Sequence, residues 1–174
     1  LPVDDGKPDF SNASLPETLC HELENHLNTL GLADGVLAIR SSATLEDGDK
    51  TSFAGIHESY LNVTGFEQIK QAILDCYASL WSDRAVSYRQ KMEVRDEDVA
   101  CAIVISTLIE AESAGVAFSC EPASGRTDLV TINANFGLGE SVVNGGVTPD
   151  LYVLSAHRQQ LLEKQLGNKS KKTA

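Results

Sequence analysis

The spacing of apolar residues predicts two helices in the first half of the chain. Ser14-Leu15-Pro16-Glu17 offers an N-cap and a proline in the first turn, and leucines then recur at helical spacing up to Gly31, where we expect the helix to end. A second amphipathic pattern begins at Phe66 and predicts a long helix that can continue past Asp83-Arg84 to Met92. We expect this second helix to serve packing rather than chemistry.

Short apolar runs predict strands before and after the second helix. Val36-Leu37-Ala38-Ile39 predicts a buried strand that leads into Arg40, and Ser59-Tyr60-Leu61-Asn62-Val63 predicts another. The loop between them, from Thr44 to Ala54, is then the tip of a hairpin that could lie over a ligand. Later strands are predicted at Val99–Ile105, Gly115–Ser119, Leu129–Asn133 and Tyr152–Leu154. These elements predict an α+β (mixed α/β) fold with a strand-rich C-terminal half.

The composition is that of an ordinary globular domain. The chain has 174 residues, of which 42% are hydrophobic and 22% charged, enough for one domain with an apolar core. A formal net charge of −11 argues against binding nucleic acid, which needs clustered Lys and Arg. There is no apolar run near the roughly 18 residues of a membrane span and no signal-peptide pattern, so we expect no membrane partner and a cytoplasmic location.

The cysteines and histidines do not predict a metal site. Cys20, Cys76, Cys101 and Cys120 are scattered and form no C-x-x-C pair, and the four histidines have no metal-ligand spacing. Reduced, structural thiols are the favoured interpretation. A disulfide framework or a zinc site is the alternative.

Two segments could bind phosphate. Arg40-Ser41-Ser42-Ala43-Thr44 joins a guanidinium to several hydroxyls directly after a buried strand, which suits bidentate phosphate contacts. The loop Ser52-Phe53-Ala54-Gly55 could bring its backbone close to a ligand, because glycine has no Cβ. The commoner alternatives are a surface or ion-paired arginine and an ordinary hairpin turn.

A glycine-containing segment follows the third of the later strands. Asn135-Phe136-Gly137-Leu138-Gly139-Glu140 lacks the third glycine of a dinucleotide-binding fingerprint, so its pattern favours a strand-to-helix turn with a carboxylate just beyond it. Gly145-Gly146-Val147-Thr148-Pro149-Asp150 is typical of a turn in which Asp150 is a cap. The residues alone therefore indicate an acidic α/β domain with a candidate phosphate site.

The order of several motifs is more specific than any one of them. From Val36 to Leu154, the chain resembles the N-terminal ATP-binding (PEP/pyruvate-binding) domain of the phosphoenolpyruvate synthase and pyruvate phosphate dikinase family. The segments that carry the resemblance are Ala38–Asp47, Ser52–Gly55, Tyr60–Val63, Ala78–Ala85 with Tyr88-Arg89, Ser113–Ser119, and Asn133–Glu140 through Pro149-Asp150.

The resemblance implies an ATP-grasp-like fold, here partial, in which two subdomains hold MgATP. On this basis 1–174 is part of a single ATP-binding domain: 1–35 is an N-terminal segment and helix, 36–98 a phosphate-loop subdomain with a long helix, and 99–174 a strand-rich adenine-side subdomain. Arg40 matches the catalytic arginine that contacts the transferring phosphates. The nucleotide-binding residues implied are Arg40, Ser41, Gly55 of the loop over the phosphates, Thr107 and Leu108 on the adenine strand, and Glu140.

The resemblance also implies the activity of the parent protein. A phosphoenolpyruvate synthase uses ATP and Mg²⁺, transfers a phosphoryl group to a histidine of a separate domain, and forms AMP, phosphate and phosphoenolpyruvate from pyruvate and water. The implied partners are therefore ATP and the phosphohistidine and pyruvate-binding domains of the parent chain. A rifampicin phosphotransferase-like enzyme is one alternative, and a non-catalytic or regulatory nucleotide-binding module is another.

Three departures from the family pattern bear on these expectations. Ile105-Ser106-Thr107-Leu108 replaces the usual Val-Gln-x-Met near the adenine, and Ile56 follows Gly55 where a glutamine is common. The family's Gly-Gly-Lys motif, metal-binding acids and Gln-x-Arg motif have no counterpart here. We expect those parts to lie outside 1–174 and this segment alone to be inactive.

Overall fold

A computed structural model describes residues 3–4, 7–44, 47–48, 51–52, 58–157 and 160–168. It is a mixed α/β structure whose two larger sheets are antiparallel. The helices are α1 (Glu17–Thr29), α2 (Gly65–Ser79), α3 (Asp83–Lys91) and α4 (Glu140–Val143). The strands are β1 (Val3–Asp4), β2 (Lys7–Pro8), β3 (Leu37–Ala43), β4 (Asp47–Gly48), β5 (Thr51–Ser52), β6 (Ser59–Val63), β7 (Cys101–Thr107), β8 (Ser113–Phe118), β9 (Leu129–Phe136), β10 (Asp150–Ser155) and β11 (Gln160–Gln165).

The chain divides into two compact units, Leu1–Leu108 and Ile109–Ala174. The first unit contains the three-stranded sheet with order β6-β3-β7, and the second contains the four-stranded sheet with order β11-β10-β9-β8. In this division β7 belongs with the first unit, because all seven residues of β3 have partners on β7. The assignment of phosphate-loop and adenine-side subdomains stays a prediction.

The core of the first unit lies between its sheet and the helices α1 and α2. Leu37 and Ile39 of β3 are fully buried and cluster with apolar side chains from both helices and from β6. The other buried members of the cluster are Leu27, Val63, Ile69, Ala72, Ile73 and Cys76. This burial is the main stabilising contribution in the unit, because burying one such side chain contributes roughly 1.5–3 kcal/mol.

The predicted helix α1 is confirmed, with small differences at its ends. It begins at Glu17, and Pro16 occupies the N-cap position without a side-chain cap, so Ser14 is not the capping residue. It ends at Thr29, and Gly31 beyond it has a left-handed φ of +68°. Such a glycine is typical just after a helix because it adopts this conformation without steric cost.

The prediction of one long helix from Phe66 to Met92 is wrong. The helix breaks after Ser79, and a new helix starts at Asp83, where the Ser82 hydroxyl accepts a hydrogen bond from the Ala85 N–H at 3.3 Å. Arg89 of α3 reaches back across this break. Its guanidinium donates to the Leu80 carbonyl, which lies at the end of α2. The packing of α3 against the end of α2 therefore stabilises the break between the two helices.

The second unit is an antiparallel meander with α4 after β9. Strands β9 and β10 contain the predicted runs, and β9 extends further than predicted, to Phe136. Strand β8 begins at Ser113, before the predicted start, and ends at Phe118 rather than Ser119. The strand β11 is not predicted by the sequence pattern, because its six residues are all exposed and show no alternation. Its place in the sheet comes from pairing with β10.

Candidate functional site

Arg40 lies within β3, at the centre of the first unit's sheet. The strand predicted to end at Ile39 continues to Ala43, so Arg40 and Ser41 are strand residues rather than residues of an edge loop. Side chains alternate between the two faces of a strand. Because Leu37 and Ile39 face the helices, Arg40 projects from the opposite face, where it is exposed.

The sheet register defines the immediate neighbours of Arg40. Arg40 is directly opposite Val104 of β7 and Ser59 of β6. Residues paired across antiparallel strands share a face and have Cβ atoms roughly 4.5–5.5 Å apart. The guanidinium is therefore flanked by the side chain of Val104, which is 48% exposed, and by the hydroxyl of Ser59. Among the described residues, no carboxylate forms an ion pair with Arg40.

Ser41 lies on the helix-facing side of the same strand. It follows Ile39 in the alternation, and its backbone forms a hydrogen bond with Cys76 of α2. Burial raises the pKa of the Cys76 thiol to about 11, while the hydrogen bond from Ser41 acts in the opposite direction. The hydroxyl of Ser41 and the guanidinium of Arg40 are therefore on different faces, and Ser41 as a nucleotide ligand stays a prediction.

Thr107 and Leu108 lie at the end of β7. Thr107 is paired with Leu37, so it is on the face opposite Arg40, and it is exposed. The Leu108 N–H donates to the Val36 carbonyl at 2.8 Å. A base bound at this edge would therefore meet the carbonyl or side chain of Leu108 rather than its N–H.

Glu140 belongs to the second unit, where it begins α4 and is exposed. The segment before it is the strand-to-helix turn that the glycine pattern predicts, with Gly137 at a left-handed φ of +76°. Behind the turn, the Asn135 side-chain amide donates to the Ser141 hydroxyl at 3.0 Å, and both side chains are buried. The sequence did not single out Ser141, because one serine in a short helix carries no signal until its partner is known.

Gly55 and Ile56, which the sequence places in the loop over the phosphates, lie outside the described residues. Within the described part of the chain, no group of three or more His, Cys, Asp or Glu side chains could hold a metal ion. No helix in the described ranges is both long and apolar enough to cross a membrane.

Comparison with known proteins decides the family. Residues 7–174 match the family model described as pyruvate phosphate dikinase, AMP/ATP-binding domain. The chain belongs to this family. The match confirms the resemblance inferred from the order of the motifs, and it extends beyond the Val36 to Leu154 region on which that inference was based.

Curated relatives agree with this assignment. A phosphoenolpyruvate synthase from Aeropyrum pernix is 37% identical over 166 residues, which cover 93% of this chain and 20% of the relative. A probable phosphoenolpyruvate synthase from Archaeoglobus fulgidus is 42% identical over 133 residues, or 76% of this chain and 18% of the relative. For the phosphoenolpyruvate synthase of Aquifex aeolicus the identity is 41% over 143 residues, with 78% and 17% covered. This member of the family thus spans about a fifth of the length of these relatives.

Proposed function

We propose that this chain is the ATP-binding portion of a phosphoenolpyruvate synthase-like dikinase. The parent enzyme transfers a phosphoryl group from MgATP to a histidine of a separate domain and then to pyruvate, giving AMP, phosphate and phosphoenolpyruvate. The proposal includes an ATP-grasp-like arrangement, in which two subdomains hold the nucleotide. The family match and the names of the relatives support the reaction class.

The observation that carries the proposal is the placement of Arg40. Its side chain projects from the open face of a sheet whose other face is packed, between Ser59 and Val104. An exposed guanidinium with no described carboxylate partner is available to bind an anion. Such a group can contact two phosphate oxygens at once through its planar set of donors.

The proposed role of Arg40 is electrostatic stabilisation of the transferring phosphoryl group. In phosphoryl transfer the protein mainly positions the groups and stabilises the charge that spreads over the phosphoryl oxygens. A cation fixed on a central strand needs little reorganisation to do this. Ser59 could add a hydroxyl contact beside it, and the loop containing Gly55 would cover the phosphates. In the proposal, Mg²⁺ is bound together with ATP as the MgATP complex.

Two alternatives use the same nucleotide site differently. The ATP domain of a rifampicin phosphotransferase-like enzyme would bind ATP in the same way and differ in its final acceptor. A non-catalytic nucleotide-binding module is favoured by one observation, the replacement of the usual Val-Gln-x-Met by Ile105-Ser106-Thr107-Leu108. The two alternatives differ from the synthase, and from each other, in whether the parent protein cleaves ATP and in which acceptor it needs.

A phosphorus NMR time course on the full-length parent tests the proposal. The protein is incubated with MgATP, with and without pyruvate, and AMP, phosphate and phosphoenolpyruvate are followed. Pyruvate-dependent formation of all three supports the synthase. A third incubation contains rifampicin instead of pyruvate, and turnover that depends on rifampicin supports the phosphotransferase. Intact ATP in all three incubations supports the non-catalytic module.

A further inference from the structure

The strand β11 lies at the edge of the second unit's sheet, where it pairs with β10. Its two leucines, Leu161 and Leu162, are 49% and 54% exposed, and the other four residues of the strand are exposed as well. A strand that buries little apolar surface gains little from the hydrophobic effect, and such segments open at a low free energy. Contacts at the ends of β11 therefore decide how often it separates from β10.

Asp150 supplies such a contact at the C-terminal end of β11. It is the first residue of β10, and it is 5% exposed. Its Oδ1 accepts a hydrogen bond at 2.9 Å from the N–H of Gly167, just beyond β11, and its Oδ2 accepts one at 3.3 Å from the Tyr152 hydroxyl. Hydrogen bonds to a carboxylate are stronger than those between neutral groups. The chain that leaves β11 is thus tied to the start of β10 by a buried charge.

Gly167 lies close against the turn that precedes β10. A Cβ built on this glycine would collide with the carbonyl oxygens of Thr148 and Pro149, which are backbone atoms. Because glycine has no Cβ, it lets the chain pass at this distance. A further contact joins the two strands nearby, where Nζ of Lys164 in β11 lies 5.7 Å from the ring centroid of Tyr152. The fit at Gly167 is therefore specific, and a larger residue would prevent it.

We propose that residues 160–167, which comprise β11 and Gly167, form a displaceable strap, and that the carboxylate of Asp150 is the latch that holds it closed. When the strap opens, the outer edge of β10 presents unpaired N–H and C=O groups, to which an extended segment can add as a new strand. The sequence alone treats Asp150 as a turn residue, because its partner Gly167 lies 17 residues further along the chain. The proposal does not depend on nucleotide binding.

Hydrogen exchange of the full-length parent without nucleotide, followed by peptide mass spectrometry, tests the proposal. In the wild type, the amides of the strap should exchange faster than those of β9, because opening of the strap leaves β9 paired with β8 and β10. Asp150→Ala should speed exchange in the strap by roughly tenfold to a hundredfold, the range for loss of a hydrogen bond to a charged group. Exchange in β9 should not change.

Gly167→Ala tests the strap from its other side. The variant keeps the carboxylate of Asp150, but its added methyl group displaces the chain from the turn before β10, so the same local acceleration is expected. It also decides the question if Asp150→Ala does not fold. Asp128→Asn is the matched control, because it removes an exposed carboxylate that pairs with Arg126 just before β9. Exchange in the strap should be the same in this control as in the wild type.

Three results overturn the proposal. One is unchanged exchange of the strap in a folded Asp150→Ala variant, or in Gly167→Ala if the first does not fold. Another is an acceleration of equal size in β9, which identifies a loss of global stability instead of a local opening. The third is a wild-type strap that exchanges as slowly as β9, which shows that the strap does not open on its own. None of these results bears on the proposed function, because nucleotide is absent throughout.

Discussion

Arg40 and Thr107 project from opposite faces of the same sheet. The register of β3 and β7 pairs Arg40 with Val104 and Leu37 with Thr107, and successive side chains alternate faces. A phosphate bound by Arg40 therefore lies on the open face, away from the helices. Thr107 could contact a nucleotide on that face only through its backbone, because its side chain lies on the other face of the sheet.

Replacement of Arg40 by glutamine should abolish most phosphoryl transfer. Glutamine keeps hydrogen-bonding capacity but lacks the positive charge that would stabilise the transferring phosphoryl group. We expect the rate of ATP cleavage in the full-length parent to fall by about 10²–10³-fold, the range for loss of one such stabilising group. The thermal midpoint should change little, because Arg40 is exposed and has no ion-pair partner among the described residues.

Arg84→Gln is the control for this experiment. Arg84 is an exposed arginine of α3, and its replacement removes the same charge at another place on the first unit. It should leave the rate of ATP cleavage unchanged. Equal rates for wild type and Arg40→Gln would show that Arg40 does not contact the reacting phosphates.

Arg89→Met should destabilise the first unit. Arg89 is 2% exposed, its Nε lies 2.8 Å from an Asp96 carboxylate oxygen, its guanidinium donates to the Leu80 carbonyl, and it stacks 5.1 Å from the Trp81 ring centroid. Methionine fills part of the volume but leaves the carbonyl without its donor. We expect a loss of about 2–4 kcal/mol in the free energy of unfolding, measured by urea denaturation.

An exposed arginine provides the comparison for Arg89. Arg95 forms ion pairs with Glu97 and Asp98, and its side chain is 69% exposed. Its replacement by methionine should change the stability little, because surface ion pairs are solvated and flexible. If the two variants unfold at the same urea concentration, Arg89 does not hold the junction of α2 and α3.

Elements with strong local periodicity could be predicted from the sequence. The helix α1 and the strand β6 lie where the pattern of apolar residues places them, because that pattern is fixed by the face each element buries. The turn before Glu140 follows from its glycines, since Gly137 adopts a conformation that other residues rarely take.

Features set by distant partners could not be predicted. The break after Ser79 needs Arg89 to reach the end of α2, and nothing in the local pattern of Leu80 to Ser82 outweighs the helical periodicity. The face on which Arg40 lies depends on how β3 extends and pairs with β7, and a strand that ended at Ile39 would have left that face undefined. The roles of Ser41, Thr107, Leu108 and Glu140 in binding stay predictions.

Gly115→Ala should destabilise the second unit. A Cβ built on Gly115 would lie 2.4 Å from the Asn133 carbonyl oxygen and 3.1 Å from the Ala134 Cα, both of them backbone atoms of β9. The strands must move apart to accept it. We expect a loss of about 1–3 kcal/mol in the free energy of unfolding, the usual cost of overpacking.

Gly139→Ala is the matched control for the glycine variant. Its added Cβ would lie 3.6 Å from the Ala114 Cβ, an ordinary contact, and its φ of −67° suits alanine. This variant should be as stable as wild type or slightly more so, because alanine restricts the unfolded chain. Equal stability of both variants in thermal unfolding would contradict the close approach of β8 and β9.

Cys76 should resist alkylation in the folded protein. Its side chain is fully buried, and burial raises its pKa to about 11, so the thiolate becomes abundant only as the pH approaches that value. The thiolate is the reacting species, and both access and ionisation are therefore unfavourable at about pH 8. We expect iodoacetamide to modify the three partly exposed cysteines, Cys20, Cys101 and Cys120, in the native protein, as measured by peptide mass spectrometry, and Cys76 only after denaturant is added. Raising the pH towards 11 without unfolding should speed the reaction of Cys76 only modestly, because burial still blocks the reagent. Rapid labelling of Cys76 at about pH 8 in the native protein would show that α2 does not pack on β3 as described.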